Sequence, residues 1–369
     1  LPVKLPEKVD FKARINPLLS NKEFLNGKCP KCRGKAKRET DTMGGWIDSS
    51  WYFLRFTDSK NKKKYFDNKK VNYWMPVDQY IGGAEHAVMH LIYARFFIKA
   101  LKDLGIIKFD EPFSKLFNQG IVYKDGRKMS KSFGNVVFQT DISEKYGIDT
   151  ARLFLMFVSS PDKQMEWSDE GVEGAFRVIN KLIDLREKLK KENEKNAENK
   201  VNITIKKVTE NIENFQYPKA VIAIIEALDY FSEGISKRNY ETLLKLLSVF
   251  CPHIAEELWH KLGNKTLISL EKWPVAGKID LKLEENEKKK EKLIEDIRNI
   301  LRILEARGEK RKNKITVFAI PNEVSLYKES EEKIEKIFGM PVSVLSVKEA
   351  KVTGKVIKAV PGKPGILIE

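Results

Sequence analysis

Apolar and polar residues along the chain follow two different periods, and the period changes with position. Residues 77–81 form a short apolar stretch that ends at two glycines, which predicts a strand. Residues 84–104 repeat their apolar positions with a helical period until Gly105, which predicts a helix. A second strand is predicted over 115–123, followed by an Asp-Gly turn within 124–127. Strands that alternate with helices indicate an α/β sheet of the doubly wound type.

The pattern becomes helical in the middle of the chain. Residues 144–157 predict an amphipathic helix, and nearly every segment from 172 to 305 has helical period with few glycines or prolines, which indicates a helical bundle. Within it, the charged residues 186–200 predict a solvent-exposed helix end or loop. The last part predicts a small α/β module with strands over 314–320, 341–347 and 354–360 and a helix over 329–339.

Composition and charge narrow the class of protein. The chain of 369 residues is 42% hydrophobic and 33% charged, which predicts a globular protein, and no apolar run approaches the roughly 20 residues of a membrane span. Lys and Arg number 68 against 52 Asp and Glu, a formal charge of +16 that favours a nucleic-acid partner. Adaptation to heat would enrich positively and negatively charged residues alike, so it does not explain the excess of positive charge. Three cysteines indicate a reducing compartment, and we expect a cytoplasmic location.

A first group of candidate site residues follows the predicted strand at 77–81. Glycines at a strand-to-helix turn, here Gly82 and Gly83, let a ligand approach the backbone, and the Glu85 carboxylate can accept ribose hydroxyls. His86 and His90 lie one helical turn apart. A metal site and packed core histidines are the alternatives for this pair.

A second group is the loop formed by residues 126–135. Its two lysines, Lys128 and Lys131, can neutralise charge on a pyrophosphate leaving group, whereas isolated exposed lysines are usually only solvated. The hydroxyls of Ser130 and Ser132 can add hydrogen bonds or cap the next helix, and Met129 can anchor the loop on an apolar surface.

The cysteines offer a weaker candidate. Cys29 and Cys32 form a Cys-x-x-Cys pair, but a closed zinc site needs four ligands, so zinc is expected here only if another segment supplies the rest. Cys251 is predicted to pack in a helical core, and His253 and His260 of the same block to be structural.

The Lys-Met-Ser-Lys-Ser sequence of residues 128–132 resembles the signature loop of class I aminoacyl-tRNA synthetases. Four further blocks resemble leucyl-tRNA synthetases in particular: residues 38–56, 73–97, 165–182 and 243–263. The resemblance covers roughly residues 1–275 and implies α/β plus all-α architecture. It divides the chain into a connecting segment with a Cys-x-x-Cys knuckle (1–40), the second half of a Rossmann-type catalytic domain (41–171) and a helical anticodon-binding bundle (172–285). The linker helix and small α/β module of 286–369 resemble the family's tRNA-elbow domain only loosely, so tRNA binding is expected there mainly from position, with another protein as the alternative partner of 315–369.

The resemblance also implies roles for individual residues. ATP would be bound by Gly83, Glu85, His86, Lys128, Met129, Ser130, Lys131 and Ser132, with the two lysines also catalytic. Leucine would be bound by Trp46, Ser49, Tyr52, Tyr80 and His90. Trp46 departs from the phenylalanine expected in the family. Magnesium is expected with ATP, and tRNA(Leu) as a partner.

Two features of the family are absent from the sequence. None of the four histidines has the spacing of the His-x-Gly-His signature, and the proofreading domain has no counterpart. The chain begins at Leu1 within an extended pattern, so we expect a subunit or piece of a leucyl-tRNA synthetase that needs an N-terminal half for full activity. The alternatives are a non-catalytic tRNA-binding protein derived from a synthetase, and a class I synthetase for isoleucine, valine or methionine.

Overall fold

The structure is a computed structural model that describes residues 4–11, 16–190, 195–307, 313–349 and 358–369. The chain separates into two compact units, Leu1–Ile121 and Val122–Glu369. No helix in the described ranges is long and apolar enough to cross a membrane.

The first unit combines short helices with two small sheets. Its elements in chain order are α1 (Pro17–Ser20), α2 (Lys22–Leu25), β1 (Asn26–Lys28), β2 (Lys35–Lys37), α3 (Trp46–Ser49), α4 (Tyr52–Phe56), α5 (Asn68–Trp74), β3 (Tyr80–Gly83), α6 (His90–Asp103) and β4 (Leu116–Gln119).

Helices α4, α5 and α6 of the first unit share one apolar core. Strand β3 pairs in parallel with β4, and β1 pairs antiparallel with β2 around the Cys-x-x-Cys loop. The helical period of α6 places Ala94 and Ile98 on one face, where they pack with Leu54 of α4 and Val71 of α5. This core fixes α6 next to the end of β3, where the predicted site residues lie.

Three predicted elements of this region differ from the structure. The strand expected over 77–81 is β3, which begins at Tyr80, and Val77 forms only an isolated bridge with Phe113. The single helix expected over 84–104 is a 3-10 helix, Ala84–Val88, followed by α6. Met89, with φ −127° and ψ −99°, separates the two because these angles lie outside the helical region.

The third difference lies at the boundary of the two units. The strand expected over 115–123 is two strands, because β4 ends at Gln119 and the next strand begins at Val122. The Asp-Gly hairpin turn is confirmed, since Asp125 and Gly126 both have positive φ, 56° and 69°.

The second unit begins with a small sheet and continues as helices. Its elements up to residue 307 are β5 (Val122–Lys124), β6 (Arg127–Lys128), α7 (Gln139–Tyr146), α8 (Ile148–Val158), β7 (Met165–Glu166), α9 (Asp169–Arg186), β8 (Leu189–Lys190), α10 (Lys195–Glu213), α11 (Tyr217–Tyr230), β9 (Ile235–Ser236), α12 (Lys237–Leu247), α13 (Pro252–Lys261) and α14 (Leu281–Ala306). Strand β5 is central in the order β6-β5-β7, antiparallel to β6 and parallel to β7.

The predicted helical bundle is confirmed by a continuous core from α8 to α13. Leu182 of α9, Ile224 of α11 and Leu243 of α12 are fully buried in it. Asp149 of α8 ties two helices together, because its carboxylate accepts the Ile254 N–H at the start of α13 at 2.7 Å and contacts His253 Nδ1 at 2.9 Å.

Two predictions for the bundle need correction. The helix expected over 144–157 is two helices, α7 and α8, because Gly147 has a positive φ of 81° between them. The stretch 263–280 is not helical apart from one 3-10 turn, Ile268–Leu270. The exposed helix end or loop predicted over 186–200 is only partly correct. Helix α9 does end at Arg186, but 195–200 begin α10, where Asn199 is buried, and residues 191–194 lie outside the described part of the chain.

The predicted C-terminal α/β module is present. It consists of β10 (Ile315–Ala319), α15 (Val324–Lys328), α16 (Glu331–Phe338), β11 (Val342–Ser346) and β12 (Gly365–Ile368). Strand β10 lies between a parallel β11 and an antiparallel β12. Of the strand predicted over 354–360, residues 354–357 lie outside the described residues, and Val360 makes an isolated bridge to Lys363.

Candidate functional site: an aromatic cavity and a lysine loop

A cavity of about 380 Å³ in the first unit collects all five predicted leucine-site residues. It is lined by Trp46, Ser49, Tyr52, Tyr80, Ile81, Gly82, Gly83, His86, His90, Leu91, Leu116 and Gln119. The contributors come from α3, α4, β3, α6 and β4, so segments more than 70 residues apart in sequence build one wall. The lining is aromatic and aliphatic with few polar groups, which suits a small apolar side chain.

Hydrogen bonds join three of the lining side chains into a row. The Tyr52 and Tyr80 hydroxyl groups lie 2.6 Å apart, and the Tyr80 hydroxyl lies 2.8 Å from His90 Nε2. Tyr80 also stacks on Phe113, with ring centroids 3.7 Å apart. Burial, followed by the hydrogen bond with Tyr52, raises the pKa of Tyr80. The row therefore holds the aromatic wall in place while Tyr80 stays neutral.

The two histidines, His86 and His90, also line the cavity. Their ring centroids are 6.2 Å apart, and Trp46 packs edge-on against His86 at 6.0 Å. Burial, with a smaller contribution from the charge of His86, lowers the pKa of His90. The buried Nδ1 atoms of both histidines have no hydrogen-bond partner among the described residues. The other polar side chains of the lining are Ser49, Tyr52, Tyr80 and Gln119.

Gly83 and Glu85 lie beside this cavity at the end of β3. A side chain at position 83 would collide with the Glu85 carboxylate, since a Cβ there would be 2.7 Å from its carboxyl carbon. Glycine therefore lets the carboxylate lie over the backbone. Glu85 is exposed and is not part of the cavity lining.

The lysine loop belongs to the second unit and begins at the β5–β6 hairpin. The Gly126 N–H donates to Glu166 Oε1 of β7 at 3.0 Å, which ties the turn to the sheet. Lys131–Phe133 form a 3-10 turn that ends at Gly134, whose φ is 67°. Ser130 accepts the Ser132 N–H at 3.3 Å, and the two hydroxyl groups lie 2.8 Å apart. Ser130 is therefore the cap of this turn.

Asn135 closes the loop from the inside. Its Oδ1 accepts the Ser130 N–H at 2.9 Å, and its Nδ2 donates to the carbonyls of Lys124, Arg127 and Lys128 at 3.3 to 3.4 Å. Lys128 and Lys131 are exposed, and neither has an ion-pair partner within 4.0 Å among the described residues. The loop thus presents two unpaired ammonium groups on a hydrogen-bonded frame.

The Cys-x-x-Cys loop does not form a metal site within the described residues, where no group of three or more His, Cys, Asp or Glu side chains could hold an ion. The Cys29 N–H donates to the Gly34 carbonyl at 2.9 Å, so the pair lies in the β1–β2 hairpin. Backbone hydrogen bonds from Cys32 and Lys31 lower the pKa of the Cys29 thiol. Two thiols do not meet the four-ligand requirement of structural zinc. Cys251, as predicted, is buried, and burial raises its pKa.

The sequence reasoning missed several residues of these sites. Phe113, which stacks on Tyr80, and Gln119, which lines the cavity, carry no local signal because their contacts are with distant segments. Asn135 had a usable signal, since an asparagine directly after a positive-φ glycine often bonds to the nearby backbone. Glu166 had none.

Family models match two stretches of the chain. The model described as "tRNA synthetases class I (I, L, M and V)" matches residues 9–168, and the one described as "Anticodon-binding domain of tRNA ligase" matches residues 194–320. Fold and site thus define a class I aminoacyl-tRNA synthetase region.

Comparison with individual proteins shows which amino-acid specificity within this class the chain resembles. The chain is 46% identical over 311 residues to a leucine–tRNA ligase of Thermosipho melanesiensis, a match that covers 77% of this chain and 38% of the relative. It is 44% identical over 315 residues to the leucine–tRNA ligase of Thermotoga maritima, covering 78% and 38%. A solved ternary complex of Agrobacterium radiobacter K84 agnB2 LeuRS with tRNA and LeuAMS superposes with a TM-score of 0.68 at 31% identity, covering 87% of this chain and 40% of that one.

The chain belongs to the leucine–tRNA ligase family. It spans less than two fifths of the length of these curated relatives and corresponds to their C-terminal part. The resemblance inferred from the Lys-Met-Ser-Lys-Ser loop is thereby confirmed.

Proposed function

We propose that the chain is part of a leucine–tRNA ligase that activates leucine with ATP and transfers it to tRNA(Leu). The observation that carries this proposal is the clustering of Trp46, Tyr52, Tyr80 and His90 around one cavity of about 380 Å³ in a chain of this family. In the reaction, the leucine carboxylate attacks the α-phosphate of ATP and pyrophosphate leaves. The leucyl group then passes to the terminal ribose of the tRNA.

The cavity is proposed to hold the leucine side chain. Trp46, Ser49, Tyr52, Tyr80 and His90 would all line it. An imidazole with a lowered pKa stays neutral near pH 7, which favours an apolar side chain beside it. The row from Tyr52 to His90 would fix the walls before leucine arrives.

The nucleotide is assigned to the neighbouring groups. Glu85 would accept hydrogen bonds from ribose hydroxyls, Gly83 would allow close approach of the nucleotide, and His86 would lie beside it. In the second unit, Lys128 and Lys131 would neutralise the charge that develops on pyrophosphate, with Met129, Ser130 and Ser132 shaping the loop. Magnesium is expected to accompany ATP, and no described group of side chains is a dedicated site for it.

The remaining partners follow from the same assignment. The helices matched by the anticodon-binding model, together with the net charge of +16, support tRNA binding by the bundle. An N-terminal half or subunit would supply the His-x-Gly-His motif that the sequence lacks. We propose a cytoplasmic location, because ATP, tRNA and a reducing environment occur together in the cytoplasm.

Leucine-dependent ATP–pyrophosphate exchange tests the proposal. We would measure it with this chain alone and with the N-terminal region of a relative added, and we expect activity only in the mixture. Lys128→Ala and Lys131→Ala should each lower that activity by about a hundredfold, because each removes a charge that stabilises the transition state. Lys163→Ala, at an exposed lysine of the same unit, is the matched control.

Other results would contradict the assignment. Exchange with isoleucine, valine or methionine instead of leucine would move the chain to another class I specificity. No exchange in any mixture, with tRNA binding intact in both lysine variants, would indicate a non-catalytic tRNA-binding protein.

A further inference from the structure

The β1–β2 hairpin of the first unit carries two cysteines in its connecting loop. Its strands pair antiparallel over three residue pairs. The loop between them is closed by two backbone hydrogen bonds of 2.9 Å, from the Cys29 N–H to the Gly34 carbonyl and from the Arg33 N–H to the Cys29 carbonyl. Arg33 has a positive φ of 65°, which turns the chain back toward β2. Cys29 and Cys32 are therefore held in a closed turn.

The side chains of these two cysteines contact each other. The Cys29 thiol accepts backbone hydrogen bonds from Cys32 and Lys31, and its side chain also hydrogen-bonds with that of Cys32. Pro30 has no N–H, so these two N–H groups are the first after Cys29 that can reach its sulfur. A Cβ at position 34 would be 3.4 Å from Cys32 Sγ, so this sulfur lies next to a residue without a side chain. Two sulfur atoms already in contact are what bond formation between cysteines requires.

Exposure and hydrogen bonding make this pair reactive, in contrast to the third cysteine. Cys32 is exposed and Cys29 is half-buried. Backbone N–H donors stabilise the thiolate, which is the form that attacks disulfides, and they lower the pKa of Cys29. Cys251 is buried in the bundle, and burial raises its pKa. Cys251 is therefore expected to be inert.

Basic side chains surround the pair. Residues 24–38 include no acidic residue and six basic ones, all exposed: Lys28, Lys31, Arg33, Lys35, Lys37 and Arg38. A local excess of positive charge raises the concentration of anions at the surface. A small molecule that reaches these thiols is therefore favoured if it carries carboxylate groups.

We propose that Cys29 and Cys32 form a thiol–disulfide exchange site whose substrates are small disulfides with carboxylate groups. The contact between the two side chains carries the proposal, and the basic hairpin indicates the class of disulfide. Reversible exchange of this kind occurs in reducing compartments, where structural disulfides are rare. None of its steps involves ATP, leucine or tRNA, so the proposal is independent of the ligase activity.

The exchange proceeds in two steps. The Cys29 thiolate attacks one sulfur of the small disulfide, whose S–S bond breaks, and one half leaves as a thiolate. Cys32, after losing its proton to solvent, attacks Cys29 Sγ in the mixed disulfide and expels the second half. The two cysteines together lose two protons and two electrons, and the small disulfide is reduced to two thiols.

Oxidised glutathione is a suitable probe. The full chain is reduced, freed of reductant and exposed to it, and intact mass and peptide mapping follow the reaction. The wild-type chain should lose two hydrogen atoms through a Cys29–Cys32 bond, dithiothreitol should restore the original mass, and the Cys251 thiol should stay unmodified. Cys32→Ser should stop at a mixed disulfide and gain one glutathione. Cys29→Ser should react about ten times more slowly, because the thiol that the N–H groups activate is gone.

A second pair of variants tests the preference for anionic disulfides. Lys28→Gln/Lys35→Gln should lower the rate with oxidised glutathione by about threefold and leave the rate with the cationic disulfide cystamine undiminished. Lys62→Gln/Lys63→Gln, at exposed lysines of the same unit, is the matched control and should change neither rate.

Four outcomes would overturn the proposal. The wild-type chain could form no internal disulfide, or Cys251 could react as fast as the pair. The purified chain could hold one zinc ion that blocks both thiols, which metal analysis before oxidation would show and which would make the pair part of a metal site. An equal loss of rate with both disulfides in Lys28→Gln/Lys35→Gln would contradict the preference for anionic substrates.

Discussion

Asn135 Oδ1 accepts the backbone N–H of Ser130 at 2.9 Å, across the loop that carries Lys128 and Lys131. The amide nitrogen of the same side chain donates to three carbonyl oxygens of the β5–β6 hairpin, those of Lys124, Arg127 and Lys128. One neutral side chain that both accepts and donates therefore holds the backbone between the two lysines. Neither aspartate nor leucine, which are close in size, can do both.

We predict that Asn135→Ala loosens this loop. Trypsin should cut after Arg127, Lys128 or Lys131 about ten times faster, because losing these hydrogen bonds shifts the opening equilibrium by about 1.4 kcal/mol. Asn135→Asp should have at least the same effect, since its carboxylate would face the three carbonyls. Mass spectrometry of timed digests identifies the cleavage sites.

The control for this loop prediction is Asn72→Ala, at an exposed asparagine of α5. Its digestion pattern within 126–135 should equal that of the wild type. Equal cleavage rates in the wild type and Asn135→Ala would show that the asparagine does not hold the loop.

His90 should make stability depend on pH. Burial lowers its pKa in the folded state, so the unfolded chain, with a histidine pKa of about 6.5, binds more protons as the pH falls. The contribution of neutral His90 to the free energy of unfolding is therefore fully present above about pH 6.5. It is lost progressively below that pH, by up to about 1 kcal/mol between pH 7.5 and 5.5. Urea unfolding followed by tryptophan fluorescence measures this change.

Substitution of this histidine supplies the check. His90→Gln should flatten the pH dependence, whereas His260→Gln, at an exposed histidine of α13, should keep it. If His90→Gln loses as much stability as the wild type on acidification, another group is responsible.

Asp149 should stabilise the first turn of α13. Asp149→Asn replaces the charged acceptor of the Ile254 N–H and weakens the contact with His253, at a cost of about 1 to 2 kcal/mol. Hydrogen exchange of the amides at 254–256 should therefore speed up by a factor of about 5 to 30. Asp141→Asn, at an exposed aspartate in the first turn of α7, should leave these amides unchanged, and an equal effect of both variants would contradict the capping role.

Trp46 should set the size of the proposed leucine cavity. Trp46→Phe enlarges the cavity, so preference for leucine over the longer methionine should fall by about tenfold, mainly through KM. Exchange assays with both amino acids, in the complex with the N-terminal region, measure the ratio. Trp51→Phe replaces a tryptophan outside the cavity lining, where it packs on Tyr65, and should not change the preference. A preserved ratio in Trp46→Phe would remove Trp46 from the pocket.

The sequence by itself determined the features that depend on neighbours along the chain. The Asp125–Gly126 turn, the capped loop around Lys131 and most helices of the bundle formed where the pattern predicts them. Turn residues, caps and apolar periods act over a few residues, so their effect is visible without the fold. The family could be inferred for the same reason, since residues 128–132 and the four blocks 38–56, 73–97, 165–182 and 243–263 are each continuous in sequence.

The tertiary structure decided what depends on contacts between distant segments. The break at Met89 interrupts a helical pattern because the chain must pass from β3 to a helix whose Ala94 and Ile98 are fixed in the core. The stacking of Phe113 on Tyr80 joins segments 33 residues apart. On α6, the packing of the first unit buries Ala94 and Ile98 and leaves Ile92 and Phe96 exposed. Periodicity shows that a helix has apolar residues on both sides, but only packing decides which side is buried.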